Sequence, residues 1–564
     1  MSKILFHVKK ILRERIVAAV DFAVKSGKLQ GDLAIDDFLI EIPAERSHGD
    51  LATNIALVSA KIFKAAPVKI AEIIGENLNL NDTLIERFEI AGGFINFFFS
   101  QDFYSAILVD VINLLDNYGK CNIGNGKRAI VEFVSANPTG PMHIGNARGG
   151  ALGDCLAAIL EAAGWDVWRE FYVNDAGNQI EKFALSLEAR YLQIFLGKEA
   201  VKLPEDCYQG EDINELAKEF ACIHADQYLK CEPKTRREAL VNFALPKNIN
   251  KMKSDMEKYR INYDEWFQES VLHNGTDIKE TVKILEDRGL TYESEGALWY
   301  KATQFGAEKD EVLIRKNGTP TYFTADIAYH RNKLEKRGFD LCIDVWGADH
   351  HGHVSRLKCA LDAIGLDGSK LKIVLMQLVK LVRDGEVVRM SKRTGKAIGL
   401  SDLLEEVSAD AARFLFNMRE ANSQMEFNLD LAVQQDAQNP VYYVQYAHAR
   451  ICGILQNLAR DGIYLNDCGC ENLALLNSPA ERELIFHLAR FTDEIVSAAK
   501  NYDPARVTKY VIQLATLFHK FYNSCRVKCQ NVELMHSRIQ LCRAVQIVIK
   551  NILKMFKINS PENM

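Results

Sequence analysis

The chain has 564 residues, 48% of them hydrophobic and 26% charged, with a formal net charge of −6 at pH 7. That is length for roughly three or four domains and the composition of an ordinary globular protein. No apolar run approaches the ~18 residues of a membrane span, and an acidic balance excludes indiscriminate binding to polyanions.

In chain order, residues 1–115 read as a separate α+β unit. Apolar positions at helical spacing over 4–25, mixed with Lys, Arg, Glu and Asp, indicate an amphipathic helix rather than a secretion signal. A second helical pattern covers about 51–64. Between the two lies the short strand FLIEIP, and the run AGGFINFFF closes the unit, with Ile95, Phe97 and Phe99 on one strand face and Phe94, Asn96 and Phe98 on the other. The 13 cysteines are scattered without a C-x-x-C pair, which predicts reduced thiols in a cytoplasmic protein and no structural zinc.

From Cys121 strands and helices alternate. The β-branched run Ile130–Val134 predicts a buried strand. A turn follows through Asn137, Pro138, Thr139, Gly140 and Pro141, then a helix from about Ile144 to Ala163. Strand, glycine-rich turn and helix together point free backbone N–H groups and the positive helix end at an anion. His143, Gly145 and Asn146 occupy the first turn of that helix. DVWREFYV is the next strand, and a helix capped by Asn174 or Asp175 follows. Residues 197–295 are polar and helical and read as an insertion. The strands resume with ALWYKA, EVLIRK and DLCIDVW, so the ligand is expected at the carboxyl ends of a split, alternating sheet.

Three later stretches carry candidate chemistry. Asp326, after Tyr322 in TYFTAD, lies near a helix start, where an N-cap is the plain reading. In WGADHHGH, three histidines around Asp349 invite a metal reading, with His350 and His353 on one helix face, but no Cys or His cluster accompanies them. RMSKRTGK is a Lys-rich loop able to set charge against phosphates through Lys392 and Ser391, or simply a solvated turn. Beyond it the pattern is helical throughout. Ten basic residues after Asn501 face only Asp503, Glu533 and Glu562, which suggests a localised polyanion site or a solvated helix face.

The stretch IVEFVSANPTGPMHIGNARGG (130–150) resembles the arginyl-tRNA synthetase version of the class I H-I-G-H element, with Asn146 in place of the last His. RMSKRTGK is similar to the second class I element, K-M-S-K-S, with Arg389 and Arg393 replacing its first Lys and last Ser. SHGDLATNIA with GGFINF, and the helical C-terminal part, are similar to the family's tRNA-contacting domains. The resemblance implies an α/β protein: a Rossmann-type parallel-sheet catalytic domain (116–400), an α+β N-terminal domain (1–115), a helical connection (401–432) and an all-α anticodon-binding domain (433–564).

It also implies arginine–tRNA ligation, with ATP (accompanied by Mg²⁺), L-arginine and tRNA(Arg) as partners and a monomer as the assembly. Glu132 and Asn137 would hold the arginine head, and Tyr322 and Asp326 its guanidinium. His143, Gly145, Asn146, Asp349, His350 and Met390 would bind ATP, with Ser391 and Lys392 at the pyrophosphate. Two rivals are weighed beside it. One is a cysteinyl-type synthetase, which needs zinc ligands that the sequence lacks. The other is an inactive relative that only binds tRNA, suggested by Asn146.

Overall fold

The computed structural model describes residues 4–31, 38–388, 398–465 and 469–564. At its centre is a five-stranded sheet, parallel throughout, in the order Leu371–Met376, Leu341–Gly347, Arg128–Glu132, Asp166–Val173, Glu265–Gln268. The middle strands are near-continuous apolar runs because both faces are covered: Ala129, Ile130, Val131, Cys342 and Ile343 have no accessible surface. The crossover from the central strand is the helix Ile144–Ala162, here called the signature helix. All but its first turn and Glu161 is buried.

Two sequence expectations change here. The insertion is narrower than 197–295, because Glu265–Gln268 is the edge strand of the main sheet. The inserted body is the helix pair Glu211–His224 and Pro233–Lys258, packed on Asn178–Leu196 around its own core of Phe183, Leu187, Tyr191 and Phe220. ALWYKA and EVLIRK do not join the main sheet. They pair antiparallel in a separate three-stranded sheet with Thr291–Ser294. Nor do Asn174 and Asp175 cap the next helix. Gly177 stands at that position, and Asp175 instead accepts from the Ser270 N–H and hydroxyl at 2.8 and 2.7 Å.

The N-terminal unit is a four-stranded antiparallel sheet in the order Ile40–Glu41, Leu51–Thr53, Phe94–Phe99, Ile85–Ala91. It is backed by the helix Pro67–Glu76, on which the helix Ile4–Lys25 packs in turn. Residues 51–53, expected as helix, are a strand, and the helix begins at Ile55. The two faces of Phe94–Phe99 divide as expected, with Ile95, Phe97 and Phe99 in the core.

From Pro440 on, the long elements among the described residues are helices: Pro440–Arg460, Pro479–Ala489, Phe491–Asn501, Ala505–Ser524 and Val532–Met555. The helix Gln101–Leu114, which precedes the main sheet in sequence, packs on this bundle. The Tyr118 hydroxyl donates to the Leu488 carbonyl at 2.9 Å, and Asn551 donates to the Leu115 carbonyl at 2.9 Å. Behind the signature helix lies a charged hub whose centre, Asp154 with Arg413, has no access to solvent. Asp154 accepts from Arg413, from Lys557 Nζ at 2.9 Å and from Arg169 Nε at 3.2 Å. Arg413 also donates to the carbonyls of Phe556 and Tyr259. The hub fastens Phe556 and Lys557 to the signature helix and, through Arg169, to the main sheet.

Candidate active site

The central strand ends at Glu132, and the chain then leaves the sheet under strain. Val134 has φ +70° and Ser135 φ +40°. A β-branched residue in the left-handed region is a steric outlier, costing on the order of 1–3 kcal/mol. The turn is held by Ser135, whose hydroxyl donates to Glu132 Oε1 at 2.9 Å and accepts from the Tyr172 N–H at 3.1 Å. The outcome is a cleft at the carboxyl ends of the strands, where an alternating sheet binds its ligand.

His143 is the N-cap of the signature helix. Its Nδ1 accepts from the Gly145 N–H at 3.1 Å, and its own N–H donates to Asn146 Oδ1 at 2.9 Å, closing a reciprocal capping box. An Nδ1 that accepts leaves the proton on Nε2, and partial desolvation by the cleft walls lowers the imidazole pKa from the ordinary histidine value. The neutral ring therefore presents an Nε2–H donor. Asn146 spends its oxygen on the cap and keeps its NH₂ free of it. Gly145 is required by this cap: a Cβ there would lie 2.9 Å from His143 Cε1 and 3.0 Å from Nδ1. Gly145 also lines the large cleft, where the sequence reading expects it to bind ATP.

These groups line a cleft of about 1100 Å³ together with Asn137, Asp349, His350, Met376 and Leu378. The inserted body forms another wall through Tyr208, Gln209 and Asp212. Asp349 and His350 are exposed in the short turn Ala348–His350, 3.6 Å apart. Asn137 falls in this large cleft with His143, apart from Glu132, with which the sequence reading had paired it.

A smaller pocket of about 240 Å³ adjoins the cleft through the shared walls Val134, Ser135, Val345, Gly347 and His350. Asp326 lines it from the helix Tyr322–Arg331. Thr321 caps that helix, accepting from the Thr324 N–H, so the capping role read for Asp326 is overturned. Its carboxylate instead meets His353 Nε2 at 2.8 Å. Tyr322 does not line the pocket: its hydroxyl accepts from the Asn178 N–H at 3.1 Å at the start of a neighbouring helix. His353, weighed from sequence as a metal ligand, stands between Asp326 and the Trp346 ring. No group of three or more His, Cys, Asp or Glu side chains among the described residues is arranged to hold a metal.

Beneath the small pocket lies a charged floor that the sequence reading missed. Lys333 has no accessible surface and donates to Glu132 Oε2 at 2.5 Å and Asp344 Oδ1 at 2.9 Å. Asp344 also meets His330 Nε2 at 2.7 Å. Burial acts to raise the Asp344 carboxyl, but Lys333 and His330 outweigh it and hold the pKa at about 2. Glu132 shares that one ammonium, and burial, reinforced by Asp344, pushes its pKa up. In sequence Lys333 is one cation within HRNKLEKR, a run that reads as a solvated face because lysine is seldom fully buried.

Met390, Ser391 and Lys392 lie outside the described residues. The flanks of their segment are placed. Glu386–Val388 pairs antiparallel with Val379–Arg383 on one side. On the other, Gly399 bridges His143, and the Leu400 N–H donates to the Met142 carbonyl at 2.9 Å.

Comparison with known proteins agrees with this geometry along the whole chain. Residues 110–453 match the family described as tRNA synthetases class I (R), catalytic domain. Residues 7–99 match the arginyl tRNA synthetase N terminal domain, and residues 444–564 the DALR anticodon binding domain. The arginine–tRNA ligase of Ruminiclostridium cellulolyticum is 50% identical over 569 residues, and that of Caldanaerobacter subterraneus subsp. tengcongensis 53% over 569 residues, each match covering 100% of both chains. The arginyl-tRNA synthetase of Thermus thermophilus superposes with a TM-score of 0.74, covering 98% of this chain and 100% of its own at 22% identity, and thus shares the fold.

Proposed function

The chain belongs to the class I arginyl-tRNA synthetase family, and from that premise we propose that it joins L-arginine to tRNA(Arg) at the expense of ATP. The arginine carboxylate attacks the α-phosphorus of ATP and pyrophosphate leaves. A terminal ribose hydroxyl of the tRNA then attacks the arginyl carbonyl and AMP leaves. Magnesium enters as the counter-ion of ATP, as part of that substrate. No nucleophilic side chain is needed, because positioning and charge neutralisation do the work.

The large cleft takes ATP. His143 Nε2–H and the Asn146 NH₂ supply donors to its phosphates, beside the positive end of the signature helix. Met376 and Leu378 offer apolar surface to the base, and Asp349 with His350 accept the ribose hydroxyls. Met390, Ser391 and Lys392 are assigned to the phosphate side, a reading supported by the bridge between His143 and Gly399, which follows them in the chain. The small pocket takes arginine, with Glu132 toward its α-ammonium and Asp326 toward its guanidinium. Asn137, in the large cleft, lies beside the reacting carboxylate rather than the α-ammonium. Tyr322 closes the outer side of the Asp326 helix.

The observation that carries this reading is the pair of adjoining cavities. Hydrogen-bond donors line one, and three carboxylates, Glu132 and Asp344 buried and Asp326 partly open, line the other, with the strained Val134–Ser135 turn shared between them. Amino-acid-dependent exchange of pyrophosphate into ATP, with and without tRNA, tests it. Arginine alone among the amino acids should support exchange. Exchange driven by another amino acid, or by none under either condition, would refute it.

A further inference from the structure

The groups that face Glu132 come from several pieces of the fold. Lys333 belongs to the π-helical turn Asn332–Lys336 that follows the Asp326 helix, and Asp344 to the neighbouring strand. Ser135 comes from the strained turn. The rings of Tyr172, Tyr263 and Tyr329 and the imidazole of His330 stand around them. Glu170 lies behind, taking the Tyr329 hydroxyl at 2.6 Å and an Arg337 donor at 2.5 Å. π-turns are rare and recur at functional sites. This one lets a lysine cross the interior, its ammonium 4.2 Å from the Tyr329 ring centroid. A lysine placed only for stability has little reason to be here, since a buried ion pair seldom outperforms an apolar replacement.

We propose that Lys333 is a positioning residue for arginine activation: it clamps one oxygen of Glu132 while Ser135 holds the other, so that the carboxylate's remaining lone pairs face the small pocket and receive the α-ammonium of arginine. The clamp rests on the reading of Glu132 given above and adds a residue to it. It also divides labour between two carboxylates. Asp344, bound by Lys333 and His330, is the constant counter-charge. Glu132 is the one left with capacity for a ligand, because it keeps 6% exposure toward the pocket where Asp344 has none, and its two partners leave lone pairs unused.

The arrangement has a signature that a purely structural lysine lacks. Arginine binding needs the charged form of Glu132, so the arginine KM should rise on the acid side. Lys333 favours that charged form and Asp344 opposes it. Lys333→Met should therefore move the acid limb of the arginine KM to higher pH, and Asp344→Asn should move it to lower pH. At neutral pH, Lys333→Met should raise the arginine KM roughly tenfold or more while leaving the ATP KM within about threefold, with recovery toward alkaline pH.

Glu132→Gln provides the control. It should raise the arginine KM without that pH recovery, and adding Lys333→Met to it should raise the KM no further. An unchanged arginine KM in Glu132→Gln would overturn the assignment of Glu132 itself. A raised KM in Glu132→Gln, with the acid limb unmoved in Lys333→Met and in Asp344→Asn, would overturn the clamp alone. If Lys333→Met does not fold, the direction of the limb in Asp344→Asn decides.

Discussion

Asparagine at position 326 would keep the size of the side chain and lose its charge. A guanidinium offers donors in a planar fork, and the asparagine NH₂ would set a donor against them. With the pocket a third open at this carboxylate, the loss of arginine affinity should be about 2–3 kcal/mol, or about 30- to 150-fold. Thermal stability should hardly move, because Thr321 caps the helix. Arginine and ATP dependence measured beside a melting curve checks both halves, and a loss below about threefold would remove Asp326 from the pocket chemistry. Position 145 fails differently. A methyl group there displaces the His143 ring, so Gly145→Ala should cost about 1 kcal/mol of stability through the lost cap. Single-turnover adenylate formation should slow on the order of 10²-fold through the misplaced donor. Equal losses in Gly145→Ala and in a distant cap variant such as Ser478→Ala would show that only the helix end matters.

The signature helix is held from behind as firmly as it is capped in front. Asp154 sits among Arg413, Lys557 and Arg169 with no solvent access. Burial alone would raise its pKa, but the three cations outweigh burial and hold it below the usual value. A carboxyl depressed in the folded state contributes stability that is complete above its unfolded pKa of about 4 and lost as pH falls through the folded value. Asp154→Ala leaves buried cations uncompensated and should cost about 3–5 kcal/mol. The deficit should be full at neutral pH and shrink on acidification below about pH 4. Urea melts of both proteins across pH 3–7 measure it.

The same scale shows what the sequence could and could not disclose. Ile130–Val134 and DLCIDVW were legible because strands covered on both faces are rich in apolar and β-branched residues, though the central strand stops at Glu132, before Val134. DVWREFYV was legible from its aromatic and β-branched content despite Arg169 and Glu170. EWFQ, the four-residue edge strand, carries no such run and vanished into the insertion. ALWYKA and EVLIRK looked like further members of the main sheet, since pattern gives a strand's existence but not its partner. His143, Asn146, Asp326 and Asp349, which line the two cavities, were singled out through the resemblance of whole motifs, not through four-letter fragments. Lys333 and His353 were missed as pocket residues because their meaning is a three-dimensional partner on another element, which periodicity does not encode.

At the scale of the molecule, the charge asymmetry of the last 64 residues proves to be two populations. Of the ten basic side chains, seven pair with carboxylates brought from elsewhere or from the adjoining helices: Arg506, Lys509, Lys520, Lys528, Arg538, Lys554 and Lys557. The pairs are not equivalent. Lys557 reaches a carboxylate with no exposure and Arg538 one that is 1% exposed, so these cations are committed to the fold. Lys554 pairs with Asp116 where both are more than half exposed. Such a pair is worth at most about 1 kcal/mol and is screened by salt, so a tRNA phosphate can replace the aspartate. Lys550, one helical turn earlier, is also exposed. Each lysine that displaces a counter-ion from the tRNA backbone adds roughly one to the slope of log affinity against log salt. Replacing Lys550 and Lys554 together by Gln should therefore flatten that slope by about one to two and leave the melting temperature nearly unchanged. Lys557→Gln should do the opposite, lowering the melting temperature through the Asp154 hub while the slope stays put. Filter-binding of tRNA(Arg) between low and moderate salt, with a thermal melt of each variant, separates the two. A slope unaffected by the Lys550 and Lys554 replacements would mean that this face never meets the tRNA and that its charge serves solvation alone.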